Sequence, residues 1–110
     1  MTRIRIIKAG EDIVGFAAAG HTGYAPHGED IVCAAVSALT QTAVIGLCEV
    51  LGVAADVEIK DGFLQCFLPQ ELPEPLRRQS QLILQVMCAG LRAVFQEYGA
   101  KYLEIEEVEP

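Results

Sequence analysis

The chain has 110 residues, enough for one domain and too few for two, and its 52% apolar content excludes a disordered chain because burial can offset the ordering entropy. Eight Lys and Arg stand against 15 Asp and Glu, for a formal net charge of −7, which repels phosphate backbones and anionic lipid heads. No direct nucleic-acid partner is expected; the acidity serves solubility or attracts a basic partner.

The opening "MTRIRIIKAG" alternates Arg3 and Arg5 with Ile4 and Ile6, which is strand period, and it lacks the apolar core of a signal peptide, so a cytoplasmic location is expected. "AGED" is a turn, after which Val14, Phe16 and Ala18 share one face of a second strand. Residues 20–28 hold Gly20, Gly23 and Gly28 with Pro26, His21 and His27, too punctuated for regular structure and suited to a hinged loop. Gly28 or Asp30 can cap the following helix, which runs to about Val50 before Gly52 ends it.

From Ile31 to Cys48 that helix has no charge and approaches membrane-spanning length. Ser37, Thr40, Gln41 and Thr42 interrupt it, and Glu29, Asp30 and Glu49 flank it in place of basic residues, so a helix buried on nearly all sides is expected and no membrane partner. "VEIKDGFLQCFL" reads as two strands around a type I′ turn at Asp61-Gly62. "PQELPEPLRRQS" leads into a second helix with Leu82, Val86, Leu91, Val94, Phe95 and Tyr98 as its apolar face and Gly99 as its stop. "KYLEIEEVEP" is a last strand with Leu103 and Ile105 inward. The order ββαββαβ implies an α/β (α+β) two-layer sandwich, two helices on one face of a mixed sheet. One sheet cannot cover so apolar a first helix on all sides, so a homodimer is expected.

Cys33, Cys48, Cys66 and Cys88 are widely spaced with no CxxC pair, against a zinc knuckle or a disulfide framework. With the helix starting at Gly28 or Asp30, Cys33 falls in its first turn, where unpaired N–H groups and the helix dipole favour a thiolate. The same N–H groups can take the oxyanion of a tetrahedral intermediate. His21, at the end of the second strand, reaches Cys33 if the loop folds back, and can accept its proton and later protonate a leaving amine.

Each residue also has a plain structural role. A cysteine in an apolar helix is ordinarily a packed core residue, and a loop histidine a solvated one; their conjunction with a glycine-rich loop is what points to a site. His27 competes with His21 as the base. Asp30 either orients the imidazole or caps the helix, and Ser37 either lines the site or bonds back to a helix carbonyl. A zinc site from His21, His27 and Cys33 lacks a fourth ligand and a usual spacing, so neither metal nor cofactor is expected. Cys48, Cys66 and Cys88 are core residues unless one serves as a resolving thiol.

The stretch "GHTGYAPHGEDIVCAAVSAL", residues 20–39, resembles the signature of the ribosomal-processing cysteine proteases of the Prp family, in which a Gly-His, a Gly-x-Asp and a Val-Cys-Ala-Ala-x-Ser recur in this order. The resemblance implies a small homodimeric domain spanning the chain. It further implies an enzyme that removes a short N-terminal extension from a ribosomal protein substrate, the twenty-seventh of the large subunit, with a His and Cys dyad. Carried over by position, the nucleophile is Cys33 and the histidine His21, with Gly20, Asp30 and Ser37 on the other characteristic positions. Gly23, Tyr24 and Gly28 belong to a loop expected to order over substrate. Thr22 stands where the family commonly has alanine. Two rival readings are a thiol redox enzyme built on Cys33 and a dimeric ribosome-assembly module without catalysis.

Overall fold

The computed structural model describes residues 1–20 and 27–110, residues 27–30 through their backbone alone. Strands β1 (Thr2–Ala9) and β2 (Asp12–Ala19) precede helix α1 (His27–Ile45) and a π-helical turn, Gly46–Val50. Strands β3 (Asp56–Lys60) and β4 (Phe63–Phe67), helix α2 (Glu74–Tyr98) and strand β5 (Leu103–Val108) complete the ββαββαβ order. The five strands form one sheet in the order β3-β4-β2-β1-β5. Among the described residues only the β1–β5 pair is parallel, so the sheet is mixed, as the sequence implied.

The two helices cover one face. Ile4 and Ile6 of β1, Phe16 of β2 and Cys66 of β4 pack in one buried cluster with Val32 and Val36 of α1 and Leu84 and Leu91 of α2. On the other face Arg5 pairs with Glu106 at 3.0 Å and Arg3 with Glu104 at 4.0 Å, a row of opposite charges along β1 and β5.

The alternation read for β2 shifts by one residue at its start. Ile7 faces Gly15 while Lys8 faces Ile13, so Val14 is an extra residue in a β-bulge. Before the bulge it is Ile13, not Val14, that turns inward, at 5% exposure. Ile13 lies beyond the last β2–β4 pair, Gly15↔Phe67, and buried Gln81 of α2 supplies what that strand no longer offers. The Gln81 Oε1 accepts from the Ile13 N–H and its Nε2 donates to the Ile13 C=O, both at 2.7 Å.

The apolar face read for α2 is also corrected. Leu82 and Val86 are 63% and 64% exposed, and Phe95 and Tyr98 are exposed in the last two turns. The buried face is Ser80, Gln81, Leu84, Met87, Cys88 and Leu91, a helical spacing hidden in the sequence by its two polar members. The helix does stop at Gly99, which takes φ +80°.

α1 and α2 approach closely where one of them has glycine: a Cβ on Gly90 would stand 3.0 Å from the Leu39 side chain, and one on Gly46 would stand 3.2 Å from Ile83. As α1 advances from 39 to 46, α2 retreats from 90 to 83, so the helices run antiparallel. α1 is not buried on nearly all sides. Ile31–Val50 is long and apolar enough to cross a membrane by length and composition, yet only 28% of this stretch is buried within the chain. Ala34 and Ala38 lie open, and Ile45 and Val50 are 49% and 75% exposed.

The Asp61-Gly62 hairpin is present, with Lys60↔Phe63 as its closing pair. Its turn differs from the expectation: Gly62 takes φ +76°, but no non-glycine among the described residues has positive φ. Negative φ at Asp61 followed by positive φ at Gly62 is the sign pattern of a type II turn, not type I′.

Candidate active site

Cys33 stands where three elements meet. It projects from α1 beside the first residue of β1, and its Sγ lies 3.1 Å from the Thr2 Oγ1. Gly20 follows β2 and closes the third side: a Cβ there would be 3.1 Å from the Thr2 Oγ1 and 3.7 Å from the Cys33 Sγ. The Gly20 N–H donates to the Gly62 C=O at 2.9 Å, which ties the end of β2 to the β3–β4 hairpin tip. Glycine is required here by space, since Gly20 has no positive φ.

The thiol faces a cavity of about 310 Å³ between α1 and that hairpin. Thr2, Gly20, Cys33, Ser37 and Gln41 line one side, and Ile59, Phe63 and Leu64 the other. A half-exposed cysteine at the mouth of such a cleft can reach a peptide carbonyl, and the apolar wall offers a neighbouring side chain a place out of water. Ser37, one turn beyond Cys33, accepts a hydrogen bond from the Gln41 Nε2 at 2.7 Å. The back-bond to a helix carbonyl belongs instead to Thr40, whose Oγ1 donates to the Val36 C=O at 2.8 Å.

Three sequence expectations change here. α1 begins at His27, so Cys33 lies beyond its first turn, about 9 Å along the axis at 1.5 Å per residue. The helix dipole falls off within a turn, and Cys33's own N–H belongs to the helix ladder, so the first-turn account of thiolate and oxyanion does not apply. Gly28 and Asp30 sit inside the helix, past its first residue, and His27 is a helical residue, not a loop one. His21, Gly23 and Tyr24, with the rest of 21–26, lie outside the described residues, as do the side chains of His27 and Asp30.

The remaining cysteines divide by burial. Cys66, 1% exposed, has its thiol pushed up to about 12, first by burial and then by the nearby Cys48 and Asp56. Burial likewise raises Cys88. Both hold their protons at neutral pH and make poor nucleophiles. Among the described residues, no group of three His, Cys, Asp or Glu side chains could hold a metal ion.

The sequence reading missed Thr2, Gln41 and the hairpin tip. One signal was available for Thr2: it shares the inward parity of Ile4 and Ile6, so a hydroxyl was due on the buried face of β1. Nothing local announces that residues 59–64 stand across from Cys33, because the β2–β4 pairing brings them there.

Comparison with known proteins agrees over nearly the whole chain. The family model described as Cysteine protease Prp matches residues 1–103. The ribosomal processing cysteine protease Prp of Bacillus subtilis (strain 168) is 30% identical over 88 residues, 78% of this chain and 79% of its own. The solved S. aureus Prp in complex with a substrate peptide superposes with a TM-score of 0.79 at 21% identity, covering all of both chains. A Streptococcus mutans protein gives 0.82 at 20% identity over 100% of this chain and 96% of its own. At these identities the solved structures speak for the fold.

Proposed function

Because the chain belongs to the cysteine protease Prp family, we propose that it removes the N-terminal extension of a ribosomal protein, the twenty-seventh of the large subunit, with Cys33 as nucleophile and His21 as base. The observation that carries this is Cys33 at the mouth of the cavity, with Gly20 packed against its sulfur. His21 is the next residue after Gly20 in the sequence, and consecutive Cα atoms are only about 3.8 Å apart, which supports its choice as the base. The B. subtilis relative is a ribosomal processing protease, and the S. aureus relative binds a substrate peptide, which supports the same class of substrate here.

In this reading His21 takes the Cys33 proton, and the thiolate attacks the scissile carbonyl to form a tetrahedral oxyanion. Its collapse breaks the C–N bond, the His21 proton goes to the leaving amine, and a thioester remains on Cys33. Water, deprotonated by His21, then releases the acid and regenerates the thiol. Ile59, Phe63 and Leu64 hold an apolar substrate side chain beside the scissile bond. The net charge of −7 attracts the basic protein that carries the extension.

The enzyme works in the cytoplasm as a homodimer through its helix layer. Support comes from Ile45, Val50, Leu82 and Val86, all exposed and gathered at the end where Gly46 meets Ile83. The redox alternative is the weaker reading, because the buried, proton-holding Cys66 and Cys88 are poorly suited to resolve a sulfenic acid, and Cys48 lies 15 residues farther along the helical stretch, roughly 22 Å from Cys33 at 1.5 Å per residue. The test is to incubate wild type and Cys33→Ala with the extended ribosomal protein and read the masses. Wild type should remove the extension and the variant should not. Intact substrate with wild type, or a binding effect that survives Cys33→Ala, would sink the proposal.

A further inference from the structure

Thr2 belongs to no motif in the sequence, yet its hydroxyl stands 3.1 Å from the Cys33 Sγ. Its backbone is fixed from the opposite side: the Thr2 N–H donates to the Tyr102 C=O at 3.0 Å, and Thr2 pairs with Leu103 of β5. The side chain points inward at 3% exposure, and Gly20 leaves it no wider than a hydrogen atom at Cα would allow. The hydroxyl is therefore held against the sulfur by the sheet, independently of α1.

A hydroxyl has one proton and rotates to suit its partner. Facing a thiol, it can accept a weak S–H bond. Facing a thiolate, it donates to a full charge, and charge-assisted bonds are roughly twice as strong as neutral ones. The contact thus holds the sulfur in place and fixes which way it points.

We propose that Thr2 is a positioning residue for the protease reaction, its hydroxyl donating to the Cys33 thiolate and aiming it into the cavity; this rests on the reading of Cys33 as nucleophile. The bond acts twice. Before attack it holds the thiolate that His21 generates. In deacylation it receives the sulfur again as the thioester C–S bond breaks and the thiolate leaves.

The test compares Thr2→Val, which keeps the shape and replaces the hydroxyl with a methyl, with Thr2→Ser, which keeps the hydroxyl, and with Cys33→Ala. Alkylation of Cys33 by iodoacetamide, mapped by mass, is followed at neutral pH, and cleavage of the extended ribosomal protein gives kcat and KM. Thr2→Val should alkylate roughly tenfold more slowly, the scale of one hydrogen bond to a charged group. Its kcat should fall with KM near wild type, and Thr2→Ser should recover most of both the alkylation rate and kcat. If Thr2→Val does not fold, Thr2→Ala against Thr2→Ser makes the same comparison. A Thr2→Val enzyme that matches wild type in alkylation and kcat, or a Thr2→Ser enzyme as impaired as Thr2→Val, overturns the role of Thr2. The two readings fail differently: cleavage by Cys33→Ala removes the nucleophile itself, whereas an inert Cys33→Ala beside a normal Thr2→Val removes Thr2 alone.

Discussion

Replacing Gln81 with Leu should destabilise the protein without touching its chemistry. Gln81 is 8% exposed, and its amide makes two 2.7 Å hydrogen bonds to the N–H and C=O of Ile13. Leucine is close in size and apolar, so the perturbation is the loss of two partners for backbone groups that stay buried. Each such group costs about 1 to 3 kcal/mol, giving roughly 2 to 5 kcal/mol after some gain from burying the leucine. At about 2.1 cal/mol/K per residue, a chain of this length unfolds with an entropy near 230 cal/mol/K, so Tm should fall by roughly 9 to 22 °C. The assay is a thermal melt followed by circular dichroism, paired with Cys33 alkylation at 25 °C. Ile13 lies about 24 Å along β2 from Gly20 at 3.4 Å per residue, so the alkylation rate should not move. A fall in Tm under about 4 °C would refute the claim that Gln81 substitutes for missing strand pairing.

Gly20→Ala should slow substrate cleavage several-fold with a small change in Tm, because the added methyl lands 3.1 Å from the Thr2 Oγ1; a fully active variant would show that this corner has room. Cys66 makes the fold sensitive to alkali: its folded thiol holds its proton from the ordinary 9.0 up to about 12, so its contribution is complete below about pH 9 and is lost as pH rises toward 12. At about 1.4 kcal/mol per unit this is on the order of 4 kcal/mol, and urea melts of Cys66→Ala should show a shallower alkaline decline than wild type; parallel slopes would count against it. Leu82→Glu combined with Val86→Glu should yield monomers in sedimentation analysis without unfolding, since both side chains are exposed within one chain; an unchanged dimer would move the interface elsewhere.

Element order was readable because strand alternation at Ile4 and Ile6, and glycines at 52, 62 and 99, are local signals. The errors arise where tertiary pairing overrides a local rule. Val14 looked inward by parity until the bulge added a residue, and only the pairing with β1 shows it. The α2 face was misread because Leu82 and Val86 are more apolar than the buried Ser80 and Gln81. Gln81 earns its place through hydrogen bonds, which no apolar pattern records. At the candidate site, residue types and spacing singled out Cys33, but its neighbours Thr2, Gly20 and the 59–64 hairpin come from three separated segments. Their meeting is set by sheet order, which periodicity does not encode.

The two edges of the sheet bear on how this apolar chain stays dispersed. Among the described residues β3 and β5 lie outermost, each with a row of backbone groups that no other strand pairs and on which another chain's strand could template. β3 is five residues long and carries Asp56, Glu58 and Lys60, while β5 carries Glu104, Glu106 and Glu107. An incoming copy of β5 would bring glutamates against glutamates, so open-ended growth of the sheet from that edge is disfavoured. The charge on that edge therefore works against fibre-like stacking of an otherwise apolar chain.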